Sequence, residues 1–436
     1  MTTATPVTET HPAPLTAQTP LASLCLSADR NTGTGLNSGN ALAPCHGTLT
    51  PTRLDAPEAE TSAILHGAAV HDLGWQRRIS VCGEDRKRWL SGMVTNTVEG
   101  LADNSGAYNF VLNAQGRIQG DCLVWRSGDA LEIELAADQQ VALLTHFDHF
   151  IIMDDVELQP IEDTTALGLT GPQSERLLES LGLPAPPEWS ASQGVLCPAD
   201  EQGFPVQIRR GFGRLVPHYT LWVAPAHLSL LLESLRAAGA TAIGAESIER
   251  LRIVEGIAAY GTDFTSLDLP QETAQTHALS FTKGCYLGQE IVERIRSRGQ
   301  VHRHLRPLEI FPADGHAEPT IGTEFFSQET GFDSAKPVSK LTSVSSITAL
   351  NPAPNPAPET RFFALGVVRA EAEIGNNTLH YRSGTAKILT HPPQFRSPTG
   401  QQLIPPEMSH PTSPKIDPTW AEQCDDAMPE TNESRP

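Results

Sequence analysis

Lys283-Gly284-Cys285-Tyr286-Leu287-Gly288-Gln289-Glu290 sets a thiol one glycine away from an ammonium group. The run that follows, Ile291 to Arg298, reads as a helix. A cysteine near a helix start and beside a lysine is a place where a thiolate is stabilised. The amine and the free N–H groups of the first turn both favour negative charge there. Gly284 and Gly288 let the backbone turn tightly on either side of Cys285 and Tyr286. The competing reading is a small buried thiol that packs and does not react.

Composition narrows the chemistry. The 436 residues carry 31 Lys and Arg against 51 Asp and Glu, a net charge of −20. Such a balance disfavours a general nucleic-acid binder and an anionic membrane surface. No apolar run is long enough to span a bilayer. Met1 to Pro6 lacks the basic and apolar regions of a secretory signal, and the N-terminus lacks the arginine density of a transit peptide, so the cytoplasm is the expected compartment. The seven cysteines (Cys25, Cys45, Cys82, Cys122, Cys197, Cys285 and Cys424) are odd in number and form no CxxC pair. Zinc-ribbon and thioredoxin-like readings therefore fail. An iron–sulfur cluster takes about four thiolates; one well-placed cysteine does not hold a cluster by itself.

The elements around the motif read as α+β. Residues 1–57 and 392–436 are polar and proline-rich and read as disordered. Gly33-Thr34-Gly35-Leu36-Asn37-Ser38-Gly39 mimics a nucleotide loop, but no strand precedes it and no apolar helix follows. Residues 58–299 alternate strands and helices. A strand–Gly–helix unit at Arg78 to Val94 recurs at Ala166 to Gly182, with Gly83 matching Gly171. Residues 300–391 turn to short strands and read as a small antiparallel β-barrel, with a proline-rich insert at 351–358.

Four stretches then converge: Leu251-Arg252-Ile253-Val254-Glu255-Gly256, Asp268-Leu269-Pro270-Gln271-Glu272, Phe281 to Glu290, and Val292-Glu293-Arg294 with Arg298-Gly299. Together they resemble the folate-binding YgfZ-type proteins, relatives of the glycine-cleavage T-protein (aminomethyltransferase). The resemblance spans roughly residues 57–389. It implies a multi-part fold around a folate-sized opening, and tetrahydrofolate as the cofactor. Glu255 matches the family's carboxylate for the donor–donor edge of a pterin, which one carboxylate accepts in bidentate fashion; a helix-end charge is the other reading. T-proteins carry two adjacent aspartates where this chain has Gly120 and Asp121. Asp121 is thus a site candidate or a hairpin-edge residue bonded to its own backbone. Tyr108 is a candidate to stack on or bond to the pterin, or is half-buried core. Lys283 to Arg306 holds six basic and two acidic residues, net +4, including Arg294 and Arg298. That cluster reads as a patch for an anion such as a polyglutamyl tail, or as helix-end cations. His302 and His304 lack an evident third metal ligand and read as a solvated edge.

YgfZ-type proteins are associated with maintaining [4Fe–4S] enzymes, tRNA-modifying ones among them. The resemblance implies a folate-dependent accessory protein for cluster assembly or repair. Cys285 would be its active thiol, tuned by Lys283 within the Gly284, Tyr286, Gly288, Gln289, Glu290 motif. Its partners would be iron–sulfur clients or assembly proteins. The alternatives are a folate-dependent aminomethyltransferase or one-carbon transferase, and a folate-binding scaffold in which Cys285 only packs.

Overall fold

The structure is a computed structural model. It describes residues 17–28, 41–198, 202–299, 301–313, 318–329, 332, 335–350, 358–373 and 378–395. Three sheets carry the architecture. The first has five antiparallel strands in the order Ser105–Leu112, Ile118–Ser127, Ala130–Ala136, Gln76–Cys82 and Glu157–Ile161. Helices Arg86–Met93 and Ala137–Asp148 close one face of it through Trp89, Leu90, Leu143 and Phe147. The second runs Ala191–Leu196, Phe204–Arg210, His218–Val223, Thr165–Thr170, Ala69–Asp72 and Thr241–Ala242. Only its last pairing, Thr241–Ala242 with Ala69–Asp72, is parallel. Leu177, Leu178, Leu231 and Leu235 cover this sheet from helices Ser174–Ser180 and Leu228–Ala237. The third is a six-stranded antiparallel sheet from Arg303 to Ile388. A bridge between Phe326 and His380 joins its two edges, so it is nearly closed as a barrel. The α+β fold with a C-terminal barrel-like sheet is therefore present.

The repeated strand–Gly–helix unit is real. Gly83 (φ +100°) and Gly171 (φ +117°) both adopt a backbone conformation that side chains rarely take. A Cβ at Gly83 would lie 1.9 Å from the Asp155 carbonyl oxygen, and one at Gly171 2.6 Å from that of Gly67. Close backbone approach therefore demands glycine twice.

The two halves meet through a buried polar layer. Arg78 of the first sheet lies over the Trp222 ring at 5.0 Å, and Arg209 of the second lies over Trp125 at 5.2 Å. Glu132 takes Arg78 Nη2 at 2.6 Å and also bonds Arg209. Glu134 takes Trp222 Nε1 at 2.7 Å and Arg209 Nη1 at 3.3 Å. Burial opposes the charge of Glu132, but Arg209 and Arg78 outweigh it and hold its pKa below the ordinary value.

The expectation of disorder over residues 1–57 is corrected. Helix Pro20–Ala28 and the hairpin Leu42–Cys45/Thr48–Pro51 are ordered parts of the fold. Leu21 and Ala22 are buried in the second sheet's surroundings. Thr19 and Thr50 donate their hydroxyls to buried Asp72. These pieces are too short to show a period, and their burial comes only from tertiary docking. Helix Pro57–His66 leads into strand Ala69–Asp72. Phe395 is buried against Phe363 and Arg361, so packing runs past residue 391. The glycine-rich run 33–39, residues 351–357 of the proline-rich insert, and residues 396–436 lie outside the described residues.

Arg209→Ala leaves Glu132 and Glu134 without their shared cation. The expected cost is about 3–5 kcal/mol, because an orphaned buried charge is worse than no pair. A urea midpoint within experimental scatter of the parent's would contradict the role given to this layer.

Candidate functional site

The thiol loop is held from beneath by Lys283. Its ammonium donates to the carbonyls of Ser91, Val94 and Asn96 at 2.6, 2.7 and 2.8 Å. Ser91 belongs to the last turn of helix Arg86–Met93, where carbonyls lack partners and a cation suits the dipole. The Tyr286 ring lies 5.1 Å from the same nitrogen. Burial lowers the Lys283 pKa from 10.5 to about 8, which leaves it mostly protonated at neutral pH. An ammonium has three N–H donors. All three are used on carbonyls, so the expected role as a thiolate partner is corrected: Lys283 positions the loop.

Cys285 is exposed, which removes the buried-thiol reading. Helix Gln289–Arg298 starts after left-handed Gly288 (φ +81°), so the thiol precedes its first turn. A Cβ at Gly288 would meet the Asn113 carbonyl oxygen at 2.5 Å. Gly284, by contrast, sits in open space. Buried Tyr286, with its N–H on Gln289 Oε1 at 3.4 Å, pins the loop's far side. Glu290 is an exposed acid in the helix's first turn.

A second group forms on adjacent strands. Tyr108 donates its hydroxyl to Asp121 Oδ2 at 2.6 Å, and Gln139 Nε2 donates to Asp121 Oδ1 at 2.7 Å. Burial raises the pKa of Asp121, against the pull of these two donors. Burial also raises that of Tyr108, helped by the Asp121 charge. Gly120 faces the other way: a Cβ there would sit 2.6 Å from Gln139 Oε1, so position 120 has no room for an acid.

Rings that the sequence reading did not single out extend this pair. His277 stacks on Tyr108 with centroids 5.3 Å apart, and Phe212 stacks on His277 at 4.4 Å. Trp189 lies parallel to Phe212 at 6.2 Å. Trp189 is left-handed (φ +59°), an uncommon backbone for a bulky residue, held by Arg210 and Gly106. Burial, then the Arg214 charge, lowers the His277 pKa to about 4. Asn96 ties the two groups together. Its Nδ2 donates to the Tyr108 and His277 carbonyls at 3.1 and 2.8 Å, while its own carbonyl receives Lys283.

Glu255 is brought elsewhere. It is 1% exposed at the end of helix Ala245–Glu255. Oε1 accepts the N–H groups of Leu215 and Val216 at 2.8 and 3.1 Å, and Oε2 pairs with His218 Nε2 at 2.8 Å. Both oxygens are engaged inside the protein, which corrects the expectation of a carboxylate turned to a pterin.

The basic cluster is neutralised in part, for Arg303 and Arg306 by acids from other segments and for Arg296 by an acid of its own helix. Arg303 pairs with Asp268 and Glu272, Arg306 with Glu373, and Arg296 with Glu293. Glu373 also takes His304. Arg294 is exposed, and the Arg298 side chain lies outside the described residues. A local count of charges misses partners supplied by the fold. Among the described residues no group of three or more His, Cys, Asp or Glu could hold a metal ion, and no helix is long and apolar enough to cross a membrane.

Residues 46–283 match the model of the GCVT N-terminal domain. The chain belongs to this family. A putative chloroplastic transferase of Arabidopsis thaliana is 24% identical over 65% of this chain and 66% of its own. An aminomethyltransferase of Desulforamulus reducens is 24% identical over 62% and 74%. A mitochondrial iron–sulfur cluster assembly factor IBA57 homologue of Pyricularia oryzae is 27% identical over 54% and 56%. The chain thus spans just under two thirds of the Arabidopsis relative and little over half of the Pyricularia one. Aminomethyltransferase T of the glycine cleavage system from Bartonella henselae shares the fold, with a TM-score of 0.67 at 17% identity over 86% of this chain and 96% of that one.

Two outcomes are expected of this GCVT-family chain. Lys283→Met strands three carbonyls and should cost about 2–4 kcal/mol, with faster hydrogen exchange along 281–288. Unchanged exchange there would remove the pedestal role. Burial, the leading cause at both sites, pushes His71 down to about 3 and His277 to about 4 from 6.5. Between pH 6.5 and 4 the unfolded chain binds protons that these sites refuse, so stability falls as pH falls. Urea midpoints across that window should drop, and His277→Gln should flatten part of the slope. A slope identical to the parent's would show that His277 titrates normally.

Proposed function

We propose that this chain is a tetrahydrofolate-binding accessory protein for iron–sulfur cluster assembly or repair. It serves [4Fe–4S] enzymes such as those that modify tRNA, with Cys285 as its working thiol. The observation that carries this reading is that Asn96 serves both groups. On one side it anchors a polar pair, Asp121 and Tyr108, that continues into stacked rings. On the other it anchors the loop that exposes Cys285.

The residues fit a planar heterocycle. Aromatic faces accept flat rings, and a few fixed polar groups set orientation. Tyr108, Asp121, Phe212 and His277 would hold the folate; Glu255 and Lys283 are not among them. Bound tetrahydrofolate would supply a one-carbon carrier. Asp121, with its raised pKa, holds a proton more readily than a surface aspartate, next to the Tyr108 hydroxyl. His277 stays neutral within the stack, so it brings no competing charge to a ring bound beside it. Kinship to proteins named as iron–sulfur cluster assembly factors supports the accessory role. The cluster would be cargo carried by a partner, touched by Cys285.

A folate-dependent aminomethyltransferase or one-carbon transferase is the second reading, favoured by relatives of that name and by the Asp121–Tyr108 pair. Complementation separates the two. Cells lacking the protein should regain activity of a [4Fe–4S] tRNA-methylthiolation enzyme with wild type and not with Cys285→Ser. Equal rescue by both would make the thiol dispensable. No rescue by either, together with glycine-dependent aminomethyl transfer in vitro, would replace the accessory reading with the transferase.

A further inference from the structure

Arg214 stands apart among the buried and half-buried arginines that are described. Arg78, Arg209, Arg252, Arg303, Arg306 and Arg361 each bond a carboxylate, and Arg77, Arg117 and Arg126 bond backbone carbonyls. The guanidinium of Arg214 makes no hydrogen bond or ion pair with the described residues, although it offers five N–H donors. Glu255, the acid whose charge reaches it, makes its own bonds to Leu215, Val216 and His218 instead. A half-buried cation without a bonded partner is costly unless something supplies one.

The backbone at Arg214 is placed firmly. Glu255 ties down the two residues that follow Arg214. Gly213 tolerates no substituent, since a Cβ there would lie 2.1 Å from the Val216 carbonyl oxygen. Arg214 Nη1 sits 3.0 Å from where a Cβ of Gly256 would be, beside Pro307. Phe212, two residues earlier, stacks on His277 in the run of rings that begins at Tyr108. The charge of Arg214 reaches His277 of that stack, so an unpaired guanidinium lies near the rings that adjoin the Asp121–Tyr108 pair. That set of groups suits a ligand with a polar heterocycle, an aromatic middle and a carboxylate.

We propose that Arg214 is an anion subsite beside the ring stack, pairing with the terminal carboxylate of the bound folate. The inference rests on the folate reading above and names the residue that grips the benzoylglutamate half. A cation near a helix end also has a purely structural use, and the test separates the two.

Binding of 5-formyltetrahydrofolate and of 6-methyltetrahydropterin, which lacks the benzoylglutamate half, would be measured by calorimetry on the full chain and on Arg214→Gln. The expected result is a roughly 10- to 100-fold loss for the folate, the scale of a charged hydrogen bond, and no change for the pterin. Arg214→Lys should recover part of the loss, since it keeps the charge without the fork. Equal loss for both ligands, or none for either, overturns the proposal. If Arg214→Gln does not fold, wild type decides: rising salt should weaken the folate and spare the pterin, and parallel behaviour overturns it. Failure of wild type to bind either ligand would sink the folate reading itself, a result distinct from wild-type binding that Arg214→Gln leaves intact.

Discussion

The carboxylate of Glu255 is the constraint on which the placement of Phe212 and Arg214 depends. It sits at the end of helix Ala245–Glu255, out of water, and reaches across to the turn before strand His218–Val223. Two backbone N–H groups and one imidazole converge on it. His218 in turn bonds Thr170 at 2.8 Å, so one acid joins a helix, a turn and two strands of the second sheet. A buried carboxylate is tolerable only when so satisfied. Phe212 and Arg214 have fixed positions because the turn between them and the strand is tied to this group.

The larger scaffold works by the same logic of reciprocal locking. Each sheet contributes an arginine that covers a tryptophan of the other, and two glutamates sit between them. The layer is polar and buried, so it tolerates little sliding between halves. The first sheet supplies Tyr108 and Asp121, while segments adjoining the second supply Trp189 and Phe212. The ring stack therefore forms across a junction whose register the polar layer sets. Lys283 extends the arrangement outward, carrying the order of the 91–96 segment to the exposed thiol.

Much of this was legible in the sequence, and the failures have physical causes. The two strand–Gly–helix units were readable because close backbone contact forces glycine and because apolar periodicity marks the flanking elements. The thiol loop stood out by its glycines and its cysteine. Glu255 drew notice as a carboxylate at a helix end, yet spacing there does not say which way a side chain turns. Lys283 is near Cys285 in sequence, but its long stem carries the charge to carbonyls nearly two hundred residues earlier. Trp189, Phe212 and His277 sit in loops, where no period identifies a shared wall; the lone hint was an aromatic between glycines at 211–213. Arg303 and Arg306 looked like an open anion patch because their acids come from segments 268–272 and 373.

The polar pair at Asp121 and Tyr108 continues into the stacked rings, while Glu255 stays inside the protein. A crystal structure of the complex with 5-formyltetrahydrofolate tests this most directly. The pterin is expected against Tyr108 and Asp121, with Glu255 still bonded to Leu215, Val216 and His218. A pterin edge held by a released Glu255 would contradict the account.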